Sequence, residues 1–204
     1  MFISTLRIPL YFWLLLLFSA PVFSDWHLVN EESKLNFISI KASNIAEIHS
    51  FKKISGSVKE NGEAQLTINL ASLETLIPIR NERMGKLLFE TKIYPSAVFK
   101  LEVDLEKILL IDIGKSSEVE YRGMLGFKNK QFPLLVKLKV TRLSDQSFSV
   151  SSLEPLLLNA DRLGLSNGVE ALRAVAGLPS ISKSVPVTFS LMFCIKFHRL
   201  MLIF

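Results

Sequence analysis

The chain has 204 residues, 49% of them hydrophobic, and a formal net charge of +5. This length allows one ordinary domain plus a targeting segment, and the hydrophobic content excludes a disordered protein. The positive charge is spread out without a Lys/Arg cluster, which argues against nucleic-acid binding, and the one cysteine, Cys194, excludes a disulfide within the chain.

The first 24 residues have the pattern of a secretory signal peptide. Arg7 supplies a positive start, residues 10–18 form an apolar run, and Val22 and Ser24 occupy positions −3 and −1 before Asp25. The apolar run is about half as long as the ~20 residues that a membrane-spanning helix needs. We therefore predict cleavage after residue 24 and a periplasmic or secreted protein, with an uncleaved anchor as the alternative.

Most of the remaining chain has the alternation of apolar and polar residues that is typical of strands with one dry face. The segments are, in chain order, Trp26 to Ile40 in two pieces, Lys53 to Lys59, Leu66 to Leu70, Phe99 to Glu106, Glu118 to Lys128, Pro133 to Arg142, Phe148 to Asn159 and Val185 to Phe193. No βαβ rhythm is present, which favours an antiparallel sheet. About eight such strands predict an all-β fold, closed as a barrel because closure removes the sheet edges.

Two segments break this alternation and predict one or two short helices. In the first, Met84, Leu87 and Leu88 recur at helical spacing between residues 81 and 89, and Pro95 then restarts the chain as extended. The second lies between Asp161 and Gly177, where glycine is a natural helix stop.

Four short motifs follow one another between residues 70 and 99. They are Leu70-Ala71-Ser72-Leu73-Glu74-Thr75, Arg80-Asn81-Glu82-Arg83-Met84, Phe89-Glu90-Thr91-Lys92-Ile93-Tyr94-Pro95, and the aromatic Phe99. In order and spacing they resemble the central signature of the YceI-like family: Ser-x-x-Thr, an Arg-Asp-x-His-Leu-type turn, Phe-(Asp/Glu)-x-x-x-Tyr-Pro and an aromatic restart. Asn81 and Met84 depart from the usual Asp and Leu, and Arg83 stands where many members have His. The resemblance extends from Trp26 to Phe193, so residues 25–204 are predicted to form one YceI-like domain with an apolar tail, residues 194–204, whose role is open.

The sequence carries little catalytic chemistry. Gly164-Leu165-Ser166-Asn167-Gly168 matches the G-x-S-x-G elbow of α/β-hydrolases, but that elbow needs a parallel sheet and a later acid and histidine. The three histidines are isolated from other metal-ligating side chains, and Cys194 is better explained as a small apolar residue than as a nucleophile. We therefore predict no enzyme, no metal and no cofactor.

A barrel of about eight strands is either filled by its own side chains or holds one ligand, and composition leaves both open. The resemblance implies a lipocalin-like barrel with an elongated apolar tunnel for a long polyisoprenoid. The tunnel residues expected in the lid and the following strand are Met84, Leu88, Phe89, Tyr94 and Phe99.

The turn before the lid offers Arg80, Asn81 and Arg83 for the ligand head group, for example a pyrophosphate. The alternative is a solvated turn in which Arg80 or Arg83 pairs with Glu82 or Glu90. The leading hypothesis is a carrier for an isoprenoid or other lipid, and the alternative is an accessory protein with a filled barrel. Contact with a membrane surface and formation of a homodimer stay open.

Overall fold

The computed structural model describes residues 25–195. The expected signal peptide, residues 1–24, and most of the apolar tail, residues 196–204, lie outside the described residues. The strands are β1 (Trp26–Leu28), β2 (Lys34–Lys41), β3 (Ile45–Phe51), β4 (Ile54–Val58), β5 (Glu63–Asn69), β6 (Leu73–Glu74), β7 (Ser96–Glu102), β8 (Ser116–Phe127), β9 (Lys130–Ser144), β10 (Ser147–Ser152), β11 (Leu156–Asn159) and β12 (Ser184–Ile195). The helices are α1 (Pro78–Arg83), which continues as a π-helical segment (Met84–Phe89), α2 (Leu105–Leu109) and α3 (Ser166–Val175).

Eight strands close into a barrel, in the order β1, β4, β5, β7, β8, β9, β10, β12 and back to β1. The closing pair places Leu28 opposite Phe193, and every pairing between the described strands is antiparallel. Since consecutive side chains of a strand alternate between the two faces, one face of each strand supplies the interior. The predicted antiparallel barrel of about eight strands is confirmed.

At one end of the barrel the sheet extends beyond the eight closed strands through the long strand β12. Its first half pairs with β2, where Val187 lies opposite Phe37, and with β11, where Leu158 lies opposite Val185. β2 continues through a hairpin to β3 and then β6. The segment predicted as one strand from Phe148 to Asn159 is thus two strands, because β10 and β11 lie against different parts of β12.

α1 and its π-helical continuation form the predicted first helix and lie across this extended end. Pro78 stands in the first helical turn, where its missing N–H is not needed, and Glu90 ends the π segment with a left-handed φ of 54°. α3 packs against the π segment so closely that a Cβ on Gly168 would lie 2.6 Å from the Leu87 carbonyl oxygen. No helix within residues 25–195 is both long and apolar enough to span a bilayer.

The strand predicted to run to Glu106 ends at Glu102 instead, and this is a correction. Leu105 belongs to α2, because the Asp104 carboxylate accepts a 3.2 Å hydrogen bond from the Lys107 amide and caps a helix there. The alternation of Val103 and Leu105 is shared by a strand and by a loop leading into a helical turn, so periodicity alone did not separate them. The described part therefore contains three short α-helices, of which α1 and α3 lie at the two predicted breaks in the alternation.

Candidate functional site

Inside the barrel lies an apolar cavity of about 190 Å³, here called the upper cavity. Its wall comes from the inward faces of the strands, from the π segment and from α3, and includes Leu88, Phe89, Ala97, Phe99 and Val169. Nearly every wall residue is aliphatic or aromatic, so the cavity suits hydrocarbon rather than a polar ligand.

A second apolar cavity of about 120 Å³, the lower cavity, lies deeper in the barrel. α2 contributes Leu105 and Ile108 to its wall, and Trp26 and Phe148 meet edge-on beside it at 6.0 Å between ring centroids. The Nε1 atom of Trp26 is buried and has no hydrogen-bond partner in the described part of the chain. The lower cavity therefore extends the apolar space to the end of the barrel that α2 covers.

The two cavities lie end to end, because they share the wall residues Leu66, Phe99, Val136 and Phe189. We call these four residues the waist. Gly123 makes room there for Phe99, since a Cβ on Gly123 would lie 2.4 Å from the Phe99 ring. The sequence thus positions a large ring at the middle of the barrel by placing glycine beside it.

Above the upper cavity is a larger space of about 330 Å³, here called the vestibule. The vestibule shares Phe37, Leu88, Val169 and Val185 with the upper cavity, so the three spaces form one succession along the barrel. Unlike the two cavities, its wall includes the polar and charged side chains Ser39, Lys41, Glu47, His49, Arg80 and Arg83.

The inner face of the β2–β3 hairpin changes from apolar to charged toward the vestibule. Phe37 pairs with His49 and Ser39 with Glu47 across the hairpin, while Lys41 follows on the same face of β2. A ligand lying along this face would therefore meet hydrocarbon first and hydrogen-bonding groups at its outer end.

Glu47 lies between two cations in the vestibule. Its carboxylate accepts a 2.8 Å hydrogen bond from Arg80 Nη1 and lies 2.9 Å from Lys41 Nζ. The hydrogen bond from Lys41, followed by that from Arg80, holds the pKa of Glu47 below its usual value against the opposing effect of burial. Two positive groups thus share one negative charge, and the group carries a net positive charge.

His49 is only 2% exposed and packs against the Phe37 ring. Its Nε2 atom lies 2.8 Å from the Ser39 hydroxyl, and its pKa is lowered, first by burial and then by the Arg80 charge. His49 Nδ1 and Arg80 Nε are buried without a hydrogen-bond partner among residues 25–195. Buried polar atoms are normally paired, so these two nitrogens are unsatisfied polar atoms in residues of the vestibule wall.

The structure brings most of the predicted site residues together. Leu88, Phe89 and Phe99 line the upper cavity, and Met84 lines the vestibule beside Leu88, together with Arg80 and Arg83.

Tyr94 lies elsewhere, in a shallow surface groove where Lys128 Nζ is 5.8 Å from its ring. Pro95 restarts the chain as strand at that point and leaves Tyr94 before β7, outside the barrel. The structure therefore does not bring Tyr94 to the tunnel.

Asn81 turns inward to its own loop rather than to the vestibule. Its Oδ1 atom accepts hydrogen bonds from the Thr75 amide (2.9 Å) and hydroxyl (2.6 Å), and its Nδ2 donates to Glu74. Lys52, and then Asn81, lower the pKa of Glu74 to about 2. An amide oxygen here accepts the two bonds that a carboxylate oxygen could accept at the same position.

Arg80 pairs with Glu47, whereas Glu90 pairs with Lys128, so the predicted alternative of Arg80 pairing with Glu82 or Glu90 is not what the structure shows. Arg80 also donates a 2.6 Å hydrogen bond to the Thr75 carbonyl. Arg83 makes no ion pair with any of the described residues.

Sequence reasoning missed Glu47 and His49 because β3 was not predicted as a strand. It also missed Ser39 and Lys41 on β2, because nothing then placed charged residues opposite them. The apolar residues of β3 do not alternate: Ile48 lies on the outer face, 69% exposed, while Glu47 and His49 face inward. Polar residues at every second position, opposite those of β2, were the signal that could have found them.

Ser166 lies outside this succession of cavities, at the start of α3, where its hydroxyl donates to Asp161. Asp161 also pairs with Lys183 at 2.9 Å. The serine follows a loop, and the described sheet is antiparallel, so the strand-to-helix context of a nucleophile elbow is missing. In residues 25–195 no three His, Cys, Asp or Glu side chains come together as a metal site.

The YceI-like domain family matches residues 26–193 of the chain. A polyisoprenoid binding domain from Saccharophagus degradans, implicated in plant cell wall breakdown, is similar at 36% identity and a TM-score of 0.82, over 84% of this chain and 98% of that one. BcnA of Burkholderia cenocepacia is similar at 22% identity and a TM-score of 0.63, over 81% of this chain and 98% of that one. The YCEI protein of Campylobacter jejuni is similar at 11% identity and a TM-score of 0.53, over 73% of this chain and 84% of that one. The last two likenesses show the shared fold alone, and no curated protein matched the chain.

Proposed function

This chain belongs to the YceI-like family, and on that premise we propose that it binds a long amphiphile, such as a polyisoprenoid or another lipid, without catalysing a reaction. The observation that carries the proposal is the succession of two apolar cavities and a polar vestibule inside one closed barrel. This order of surfaces matches a ligand with a long hydrocarbon tail and one polar end.

The tail supplies the affinity. Burial of each CH₂ group contributes about 0.8 kcal/mol, so ten buried methylene equivalents contribute about 8 kcal/mol. A free energy of this size corresponds to a Kd of about 1 μM before ordering costs are subtracted. A tail that occupies both cavities has to pass the waist, which favours a narrow, flexible chain over a rigid ring system.

The head group lies in the vestibule in this proposal, where Arg80 and Arg83 supply guanidinium groups for oxygen atoms. Asn81 makes its bonds within its own turn, so the head-group contacts rest on the two arginines. The polyisoprenoid class is supported by the relative from Saccharophagus degradans, which is described as a polyisoprenoid binding domain.

Export from the cytoplasm belongs to the same proposal. It is supported by the signal-peptide pattern of residues 1–24. N-terminal sequencing of protein recovered from the producing cells tests it, with Asp25 as the expected first residue.

Mass spectrometry of lipid extracted from the purified protein tests the binding function. We expect a co-purifying amphiphile, and we expect Leu88→Arg to remove it, because Leu88 lies where the upper cavity meets the vestibule. Leu157→Arg is the matched control, since this substitution adds the same charge on the outer face of β11, where Leu157 is 68% exposed. Equal lipid in both variants, or no lipid in the wild-type protein, would overturn the proposal.

A further inference from the structure

Large apolar side chains surround the opening of the vestibule. Ile77, Ile79 and Val175 line the vestibule and are nevertheless between 44% and 51% exposed, and Leu76, next to Ile77, is 86% exposed. We call these four residues the apolar rim. Soluble proteins scatter single exposed hydrophobic residues, but a group around the entrance to an apolar cavity marks an interaction surface.

Leu76 is held in this exposed position by an unusual backbone. Its φ is 63°, in the left-handed region that bulky residues rarely adopt, and its amide donates a 2.7 Å hydrogen bond to the Glu74 carboxylate. Strain of this kind persists only where neighbouring groups fix it, and it concentrates at functional sites. The loop therefore presents leucine to solvent at a conformational cost.

The vestibule beneath the rim carries a net positive charge. The charged side chains that line the vestibule are Lys41, Arg80, Arg83 and Glu47, three cations and one anion, which leaves a net charge of +2. Arg83 is exposed and makes no ion pair with the described residues. Apolar residues beside basic ones are the combination that binds anionic lipid surfaces, where each Lys or Arg adds to the attraction.

We propose that the apolar rim docks on an anionic lipid bilayer, so that the vestibule opens onto the membrane from which the ligand is taken or to which it is delivered. This inference rests on the proposed lipid-binding function, since the rim is continuous with the vestibule above the apolar cavities. Leu76, Ile77 and Ile79 enter the headgroup region, and Arg83 contacts lipid phosphates. A neutral bilayer lacks the second attraction and binds more weakly.

Vesicle co-sedimentation of the full mature protein tests the docking. The vesicles contain phosphatidylcholine with phosphatidylglycerol, or phosphatidylcholine alone. We expect binding to the anionic vesicles and at least a tenfold loss of it in the double variant Leu76→Asn/Ile79→Asn. Asparagine tolerates a positive φ, so the change at residue 76 removes the apolar group without disturbing the turn.

Leu110→Asn is the control for the change at residue 76. Leu110 is 82% exposed, nearly as much as Leu76, but follows α2 at the opposite end of the barrel. Each protein is also loaded with a polyprenol from detergent, and its lipid content is measured, which separates docking from ligand binding.

Loss of vesicle binding in the rim variant alone, with full lipid content, supports the inference. Wild-type protein that takes up lipid from detergent but ignores anionic vesicles overturns the docking and leaves the lipid-binding function standing. Equal loss in the Leu110 variant also overturns it. The inference is also overturned if light scattering shows a dimer for the wild-type protein and a monomer for the rim variant, because the rim would then bind a second copy of the chain.

Discussion

A larger side chain at Ala97, which lines the upper cavity, distinguishes a hollow barrel from a packed one. Ala97 is buried in β7, faces the upper cavity and pairs with Ile68 in the sheet. Ala97→Leu places three more carbons into a space of about 190 Å³. The ligand-free protein therefore gains buried apolar surface, while the ligand loses space for its tail.

The stability of the ligand-free protein and its affinity for the ligand should change by similar amounts in opposite directions. Three buried carbons contribute about 2.4 kcal/mol, from which about 0.5–1 kcal/mol of side-chain entropy is subtracted. The free energy of unfolding of the delipidated protein should rise by about 1.5–2 kcal/mol, which corresponds to about 5 °C in Tm for a domain of this size. Displacing three methylene equivalents of ligand should weaken lipid binding about 50-fold.

Urea unfolding of the delipidated protein and displacement of a fluorescent lipid measure the two quantities. Ala46→Leu serves as the control, because Ala46 is exposed on the outer face of β3 and should change neither value by much. In a packed interior, the larger side chain would instead cost about 1–3 kcal/mol of stability. A destabilised Ala97 variant with unchanged lipid affinity would refute the hollow-barrel reasoning.

Three further predictions concern the framework around the vestibule. Asn81→Ala should lower the free energy of unfolding by about 1–3 kcal/mol in a urea titration, because Thr75 is buried and loses its acceptor. A loss of less than half of the lower figure would show that water replaces the amide. His49 has a lowered pKa in the folded state, so stability should be full above pH ~6.5 and fall as the pH drops toward the native pKa, and His49→Gln should flatten this dependence between pH 7 and 5. An unchanged pH profile in that variant would assign the titration to another group. Gly168→Ala should lower Tm although alanine favours helices, because its Cβ would meet the Leu87 carbonyl at 2.6 Å; a raised Tm would mean that α3 moves away at no cost.

Much of the barrel could be predicted because most of its strands have a local alternation of apolar and polar residues. β8 and β9 alternate over many residues with an apolar inner face, and Lys128 and Asn129 adopt the positive φ values of a tight turn between them. β3 could not be predicted in this way, because its inner face carries Glu47 and His49 toward the vestibule. α2 could not be predicted either, because Leu105 continues the apolar alternation of β7 although it belongs to a helix.

Some of the residues that line the cavities were among those predicted. Leu88, Phe89 and Phe99 were placed by motif order and the lid helix, whereas Tyr94 was assigned to the tunnel and lies outside the barrel. The charged partner of Arg80 is Glu47, which is 33 residues away in the chain. No local pattern indicates a pair formed by two elements that meet only after the barrel has closed.

Local spacing of apolar and polar residues determined that this chain forms amphipathic strands, a lid and an antiparallel sheet, because the period of side-chain direction is a property of the backbone itself. Tertiary structure alone decided that the interior holds two cavities that meet at the waist, and that Lys41, Glu47, His49 and Arg80 converge at one end. The volume left inside depends on how strands distant in sequence are staggered around the closed sheet, and the register of those pairings is set by the whole barrel at once.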